Sequence, residues 1–228
     1  AKGSSSRIKN KNTQLLDGKP LVLHTVEKLL SADFIDEVYL DTESDEIINI
    51  ASESGCCILR RDPRLASNNT DGHELFYNQI RQVDADIYLQ VLCTSPFLSL
   101  ETLKRGIDLV ADPKTEFDSA VLIKRDKQYR WNKNGPEYQI DRIPNSVELP
   151  ETLIETMGLY VVSAAAAHRT KRRIGDRPGL IDASPIEAID VNLPADFELA
   201  NLVAAGIRED DRRLLANVKN HMSSSNLS

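Results

Sequence analysis

The chain has 228 residues, 41% of them apolar and 28% charged, with 28 Lys+Arg against 35 Asp+Glu and a formal net charge of −7. That is ordinary globular composition with enough length for one large domain and a substantial core, which excludes disorder over the whole chain. The acidic balance excludes bulk binding to nucleic acid or to an anionic membrane surface, so any phosphate chemistry must sit in a local cluster of cations.

The longest mostly apolar stretch, Met157 to Ala167, is far shorter than the roughly 20 residues that cross a bilayer, and neither a membrane span nor a secretory signal is expected. Three cysteines, Cys56, Cys57 and Cys93, fit neither a disulfide framework nor a CxxC metal site. They are expected as reduced thiols packed in the interior, which implies a cytoplasmic setting.

Taken in chain order, short β-branched runs alternate with segments of helical periodicity. Strands are expected at Asp36–Thr42, Cys56–Arg60, Ile87–Cys93, Ser119–Ile123 and Leu159–Val162. Helices are expected at Pro20–Leu30, Asp45–Ser54 with Ser44 as N-cap, Gly72–Val83, Leu100–Ala111 with Ser99 as N-cap, Ser163–Lys171 and Pro194–Ala205. This alternation predicts an α/β fold of Rossmann-like type, a mostly parallel twisted sheet flanked by helices in a single domain over residues 1–221. Residues 124–155 break the rhythm, being polar with Asn134-Gly135 as a hairpin signal and prolines at 136, 144 and 150. They predict an inserted β-rich arm that makes a homodimer contact, with Tyr129 and Trp131 as interface packing. Residues 222–228 are expected to form a disordered Ser/Asn tail.

The segment Lys2-Gly-Ser-Ser-Ser-Arg7, followed by Lys9, Lys11 and Asn12, could carry phosphate chemistry. Small residues let backbone amides approach a phosphate, and the flanking cations neutralise it. Composition alone suits a solvated N-terminal tail equally well. The Walker and GxGxxG spacings are absent, and the four histidines show no metal-binding spacing.

Ala1-Lys-Gly-Ser-Ser-Ser-Arg-Ile-Lys-Asn-Lys-Asn12 resembles the signature loop of the CMP-sialic acid synthetase family, the cytidylyltransferases that activate nine-carbon sugar acids. Ala1, Gly3, Ser5, Arg7, Ile8, Lys11 and Asn12 match its pattern without a gap. The likeness continues through Gly18-Lys-Pro-Leu21, Asp41-Thr-Glu-Ser-Asp-Glu-Ile47, Arg61-Asp-Pro-Arg-Leu-Ala66, Thr94-Ser-Pro96, Gly158-Leu-Tyr160 and Ile189-Asp-Val-Asn-Leu-Pro-Ala-Asp196.

The resemblance implies transfer of CMP from CTP to the anomeric hydroxyl of a sialic-acid-like nonulosonic acid, with release of pyrophosphate. It implies that Ala1, Lys2, Gly3, Ser5, Arg7, Lys11, Asn12 and Arg61 bind the nucleotide, and that Lys2, Arg7, Lys11 and Asp190 act in catalysis. Thr94 and Ser95 would contact the sugar, and Asp190 and Asn192 would hold Mg²⁺. The departures are Lys2 for Arg, Ser6 for Lys, Asn192 for a second carboxylate and Leu92 for Gln. Ser146-Val147 stands where an Arg-Gln pair would help bind the sugar acid. These leave room for a related sugar nucleotidyltransferase or for a nucleotide-binding homologue impaired in turnover.

Overall fold

The computed structural model describes residues 1–225, with side chains described as far as residue 210. A short 3₁₀ turn at Lys11–Thr13 leads into a ribbon of β1 (Leu15–Leu16) and β2 (Lys19–Pro20). Its two turn residues, Asp17 and Gly18, both take positive φ (48° and 82°), as a tight primed hairpin turn requires. The chain continues through α1 (Leu21–Leu30), β3 (Tyr39–Thr42), α2 (Asp45–Ala51), β4 (Cys57–Arg60), α3 (Gly72–Ile80), β5 (Ile87–Val91), α4 (Leu100–Ala111) and β6 (Ser119–Asp126). After β7 (Trp131–Asn132) and β8 (Gly135–Pro136) come β9 (Thr152–Ser163), α5 (Ala164–Thr170), β10 (Pro178–Asp182) and α6 (Pro194–Ser225).

The expected caps form: the Ser44 hydroxyl accepts from the Ile47 amide and that of Ser99 from the Thr102 amide. Helix α6 covers residues 222–225 of the expected tail, and residues 226–228 lie outside the described residues.

Packing gathers the chain into two compact units. The first comprises residues 1–69, 92–96 and 189 onward, and the second residues 70–91 and 97–188. In the first, the parallel pair β3–β4 accompanies α1 and α2 around Val22, Val26, Leu40, Ile47 and Ala51. Cys56 and Cys93 are only partly buried against this cluster and Cys57 is exposed, which corrects the expected interior packing of all three. Cys57 lies on β4, which pairs with β3 and whose residues are mostly exposed.

In the second unit four strands run in the order β10-β6-β9-β5. Phe76 and Ile80 of α3 pack with Tyr88 of β5, Val162 of β9 and Ala166 and Ala167 of α5. This sheet is mixed, which corrects the expectation of a mostly parallel one. Strand β10 pairs parallel with β6, but β9 is antiparallel to both β6 and β5. The excursion between β6 and β9 returns the chain alongside the strand it left, and consecutive strands joined in that way pair antiparallel. A bulge opposite Val121–Ile123 absorbs the extra length of β9, where Met157 takes φ 60° and the Thr156 hydroxyl donates to the Leu122 carbonyl at 3.2 Å.

The excursion contains less β structure than expected. Its hairpin closes through Gly135 at φ 128°, and a 3₁₀ turn covers Ser146–Glu148. Tyr129 and Tyr138 meet edge to face with ring centroids 5.4 Å apart, and the Tyr129 hydroxyl donates to the Pro144 carbonyl at 2.7 Å. No helix among the described residues is long and apolar enough to cross a membrane.

Two buried carboxylates clasp loops in this unit. Asp118 accepts from the Asp176 and Arg177 amides at 3.2 and 3.0 Å, and a Cβ at Gly175 would lie 2.1 Å from its Oδ1. Gly175→Ala is therefore expected to cost about 1–3 kcal/mol, visible as a lowered melting temperature.

Glu187 accepts from the Ser99 amide and hydroxyl at 3.0 and 2.7 Å and from the Ser184 amide at 3.0 Å. Burial works to raise its pKa, but these hydrogen bonds and Thr102 outweigh burial and lower it from the usual 4.5 to about 2. A depressed carboxyl stabilises the fold fully above about pH 4.5 and loses that contribution as pH falls toward 2. Glu187→Gln should flatten the pH dependence of the melting temperature in that window.

Candidate active site

Residues 1–12 do not trail into solvent. The Ala1 nitrogen donates to the Asp41 carbonyl at 2.6 Å at the end of β3, and the Asn12 amide donates to the Lys2 carbonyl at 2.8 Å. The Gly3 amide donates to Glu43 Oε1 at 2.7 Å, and a Cβ on Gly3 would fall 2.6 Å from that of Ser44. Glycine at position 3 is thus what lets the loop lie against the β3–α2 turn. The Ser5 hydroxyl accepts weakly from the Ile8 amide at 3.4 Å, and Lys2 reaches Asn68 Oδ1 at 2.8 Å.

The loop brings two cations to the segment before α6, some 180 residues later in the chain. Arg7 Nη2 donates to Asn192 Oδ1 at 2.7 Å. Lys11 Nζ donates to the Val191 carbonyl at 2.8 Å and more weakly to the same Asn192 oxygen at 3.4 Å. Lys11 is buried, and that burial lowers its pKa; the Asp190 carboxylate opposes the shift while Arg7 adds to it.

The Asn192 side-chain amide then donates to Asp190 Oδ2, and the Asn192 and Leu193 amides donate to Asp196 Oδ2 at 2.9 and 2.7 Å. Asp190 Oδ1 is buried with no hydrogen-bond partner. The Val191 amide donates to the Thr94 carbonyl at 2.8 Å, which holds the Thr94-Ser95-Pro96 segment beside the same strand of chain, with Ser95 buried.

The anticipated residues Ala1, Lys2, Gly3, Ser5, Arg7, Lys11, Asn12, Thr94, Ser95, Asp190 and Asn192 thus share one unit. Arg61 shares it too, but its guanidinium faces inward. Its Nε and Nη2 hold the Asp41 carboxylate at 3.0–3.2 Å and its Nη1 reaches Glu43 at 3.4 Å. Arg61 therefore braces the loop through Glu43 and Gly3.

Glu43 and Asp196 were not among the anticipated residues. Glu43 follows directly on the carboxyl end of β3, and Asp196 stands in the first turn of α6; both positions are readable signals.

Two cations sharing one neutral amide oxygen are weakly neutralised, and a phosphate group is the stronger acceptor for both. Asp190 Oδ1 is a hard oxygen donor suited to Mg²⁺, which commonly takes one or two carboxylates and completes its shell with substrate phosphates and water. No cluster of three His, Cys, Asp or Glu residues able to hold a metal occurs among the described residues. The oxygen of Asn192 is already occupied by Arg7 and Lys11. The donor set therefore fits a metal held by one protein carboxylate together with bound phosphates.

Residues 1–155 match the family model described as cytidylyltransferase. The chain is 32% identical over 213 residues to the CMP-N,N'-diacetyllegionaminic acid synthase of Legionella pneumophila, covering 87% of this chain and 91% of that protein. It is 29% identical over 150 residues to the pseudaminic acid cytidylyltransferase of Campylobacter jejuni, covering 62% of this chain and 65% of the relative. It is 24% identical over 210 residues to N-acylneuraminate cytidylyltransferase B of Danio rerio, covering 88% of this chain and about half (49%) of that longer protein. In fold it is similar to CMP:2-keto-3-deoxy-manno-octonic acid synthetase complexed with CTP, with a TM-score of 0.67 at 17% identity over 90% of this chain and 96% of that one. The loop of cations folded onto Asp190 and Asn192 is set in a chain that belongs to the cytidylyltransferase family.

Proposed function

We propose that this chain transfers a cytidylyl group from CTP to the anomeric hydroxyl of a sialic-acid-like nonulosonic acid, releasing pyrophosphate. The observation that carries the reading is the convergence of Arg7 and Lys11 on the Asp190–Asn192 segment, with Asp190 Oδ1 unpartnered, in a member of this family. The relatives named for legionaminic, pseudaminic and N-acylneuraminic acids support the acceptor class.

The backbone of Gly3 to Ser5 cradles the triphosphate, while Lys2, Arg7 and Lys11 stabilise charge on the α-phosphate and the departing pyrophosphate. Thr94 would contact the acceptor, with the buried Ser95 in the turn beside it. Mg²⁺ held on Asp190 would neutralise the phosphates and polarise the phosphorus under attack. Asn192 keeps Arg7 and Lys11 in place beside it. The cytoplasmic setting belongs to the same proposal.

Pyrophosphate release is the test, with CTP and Mg²⁺ against N-acetylneuraminic, legionaminic, pseudaminic and 3-deoxy-octulosonic acids, and with ATP, GTP and UTP in place of CTP. Release restricted to CTP with one or more of these acids is expected. Release with a different nucleotide, or none with any acid, would refute the assignment.

The working unit is proposed to be a homodimer formed through residues 124–155. That segment exposes Trp131, Ile140, Ile143 and Val147 at 65–77% of their surface, a large apolar load for a free surface. A dimer mass is expected from light scattering at micromolar concentration, and Ile143→Glu with Val147→Glu should give monomer. A wild-type monomer would sink the proposal.

A further inference from the structure

The side-chain amide of Asn192 lies between charges of opposite sign and uses both of its ends. Its Oδ1 accepts from Arg7 Nη2 at 2.7 Å and from Lys11 Nζ at 3.4 Å, while its Nδ2 donates to Asp190 Oδ2. The chemistry of the partners forces this orientation, since arginine and lysine only donate and a carboxylate only accepts. The main chain is fixed separately, with the Asn192 amide donating to Asp196 Oδ2 at 2.9 Å.

The arrangement leaves charge of both signs poorly compensated. Lys11 is 8% exposed, and its acceptors are the Val191 carbonyl at 2.8 Å and the Asn192 oxygen, both neutral. Asp190 gives Oδ2 to a neutral amide, and its Oδ1 is buried with no partner. Burial of a charge is costly unless an opposite charge meets it. A direct pair between Asp190 and either cation would reduce that cost, and the Asn192 side chain takes the hydrogen bonds such a pair would use. A carboxylate at position 192 would do the reverse. It would bind Arg7 and Lys11 through charge-assisted hydrogen bonds and could not donate to Asp190.

We infer that Asn192 is a positioning residue, a neutral bridge that holds Arg7 and Lys11 in place without neutralising them, so that both stay available to the phosphates of CTP. The inference deepens the reading of CTP as the donor nucleotide and rests on it. It assigns the Asn192 oxygen to the two cations rather than to a metal. Asp190 is kept by the same bridge from being spent on Arg7 or Lys11.

Calorimetric binding of CTP to the full chain in EDTA tests the bridge without metal or turnover. Asn192→Asp is expected to weaken CTP binding by about 10- to 100-fold, because the triphosphate must then displace charge-assisted bonds. The exchange of Asp190→Asn together with Asn192→Asp keeps one amide, one carboxylate, a hydrogen bond between them and the net charge, but reverses their order. This exchange is expected to weaken CTP binding by a similar factor. A role in shape or hydrogen bonding alone would leave it near wild type. Melting temperatures establish that the variants compared are folded.

CTP bound by either folded variant within about twofold of wild type would overturn the inference. Weakening in Asn192→Asp alone, with the exchange near wild type, would trace the effect to added negative charge and overturn it as well. A wild type that binds CTP but releases no pyrophosphate with any sugar acid would refute the transfer reaction while the comparison of variants still decides the bridge. A wild type that does not bind CTP would overturn both.

Discussion

Asp190→Asn is expected to lower kcat for pyrophosphate release by about 10²–10³-fold. The substitution keeps the shape of the side chain and an oxygen that can still accept from the Asn192 amide, so the Arg7 and Lys11 contacts to Asn192 survive. What it removes is the charge of a carboxylate whose second oxygen is buried and unpartnered. Among the described residues no three-ligand acidic cluster is available to replace it. CTP affinity measured by calorimetry in EDTA should stay within about twofold, because the loop amides and cations that grip the triphosphate are unchanged. A variant that retains a tenth or more of wild-type kcat would remove Asp190 from the reaction.

Arg61→Ala should be the most destabilising single substitution in the first unit. The ion pair it breaks is buried on both sides, with the Arg61 and Asp41 side chains 5% and 8% exposed, and Glu43 is 14% exposed beside them. Removing one partner of such a pair leaves a charge without its compensation at a cost of about 3–5 kcal/mol. For a chain of this size that corresponds to roughly 6–20 °C in melting temperature. Glu43 would also lose the contact that orients it toward the Gly3 amide, so KM for CTP should rise alongside. The double substitution Arg61→Met with Asp41→Leu should recover much of the stability, since apolar replacements leave no uncompensated charge. A melting temperature within 2 °C of wild type for Arg61→Ala would show that the pair contributes little.

Local signals in the chain are strong enough to place most elements. Ser44 and Ser99 cap the helices they precede, and the β-branched runs at 39–42, 57–60, 87–91 and 119–126 form strands. Strand β10 was missed because it opens on Pro178-Gly179, residues that read as a turn. The direction of β9 was missed for a different reason: residues 127–151 show that an excursion exists but not on which side of β6 the chain returns. The site divides in the same way. Gly3, Arg7, Lys11, Asp190 and Asn192 are legible because each sits in a short block with a recognisable order. The inward turn of Arg61 depends on Asp41, 20 residues earlier in the chain.

The most direct measurement follows the α-phosphorus. With CTP labelled at that atom, Mg²⁺ and the four sugar acids, the label is expected to pass into a CMP-sugar while unlabelled pyrophosphate accumulates in equal amount. Label that remains in CTP with every acid, or that appears only as free CMP, would contradict cytidylyl transfer to a sugar acid.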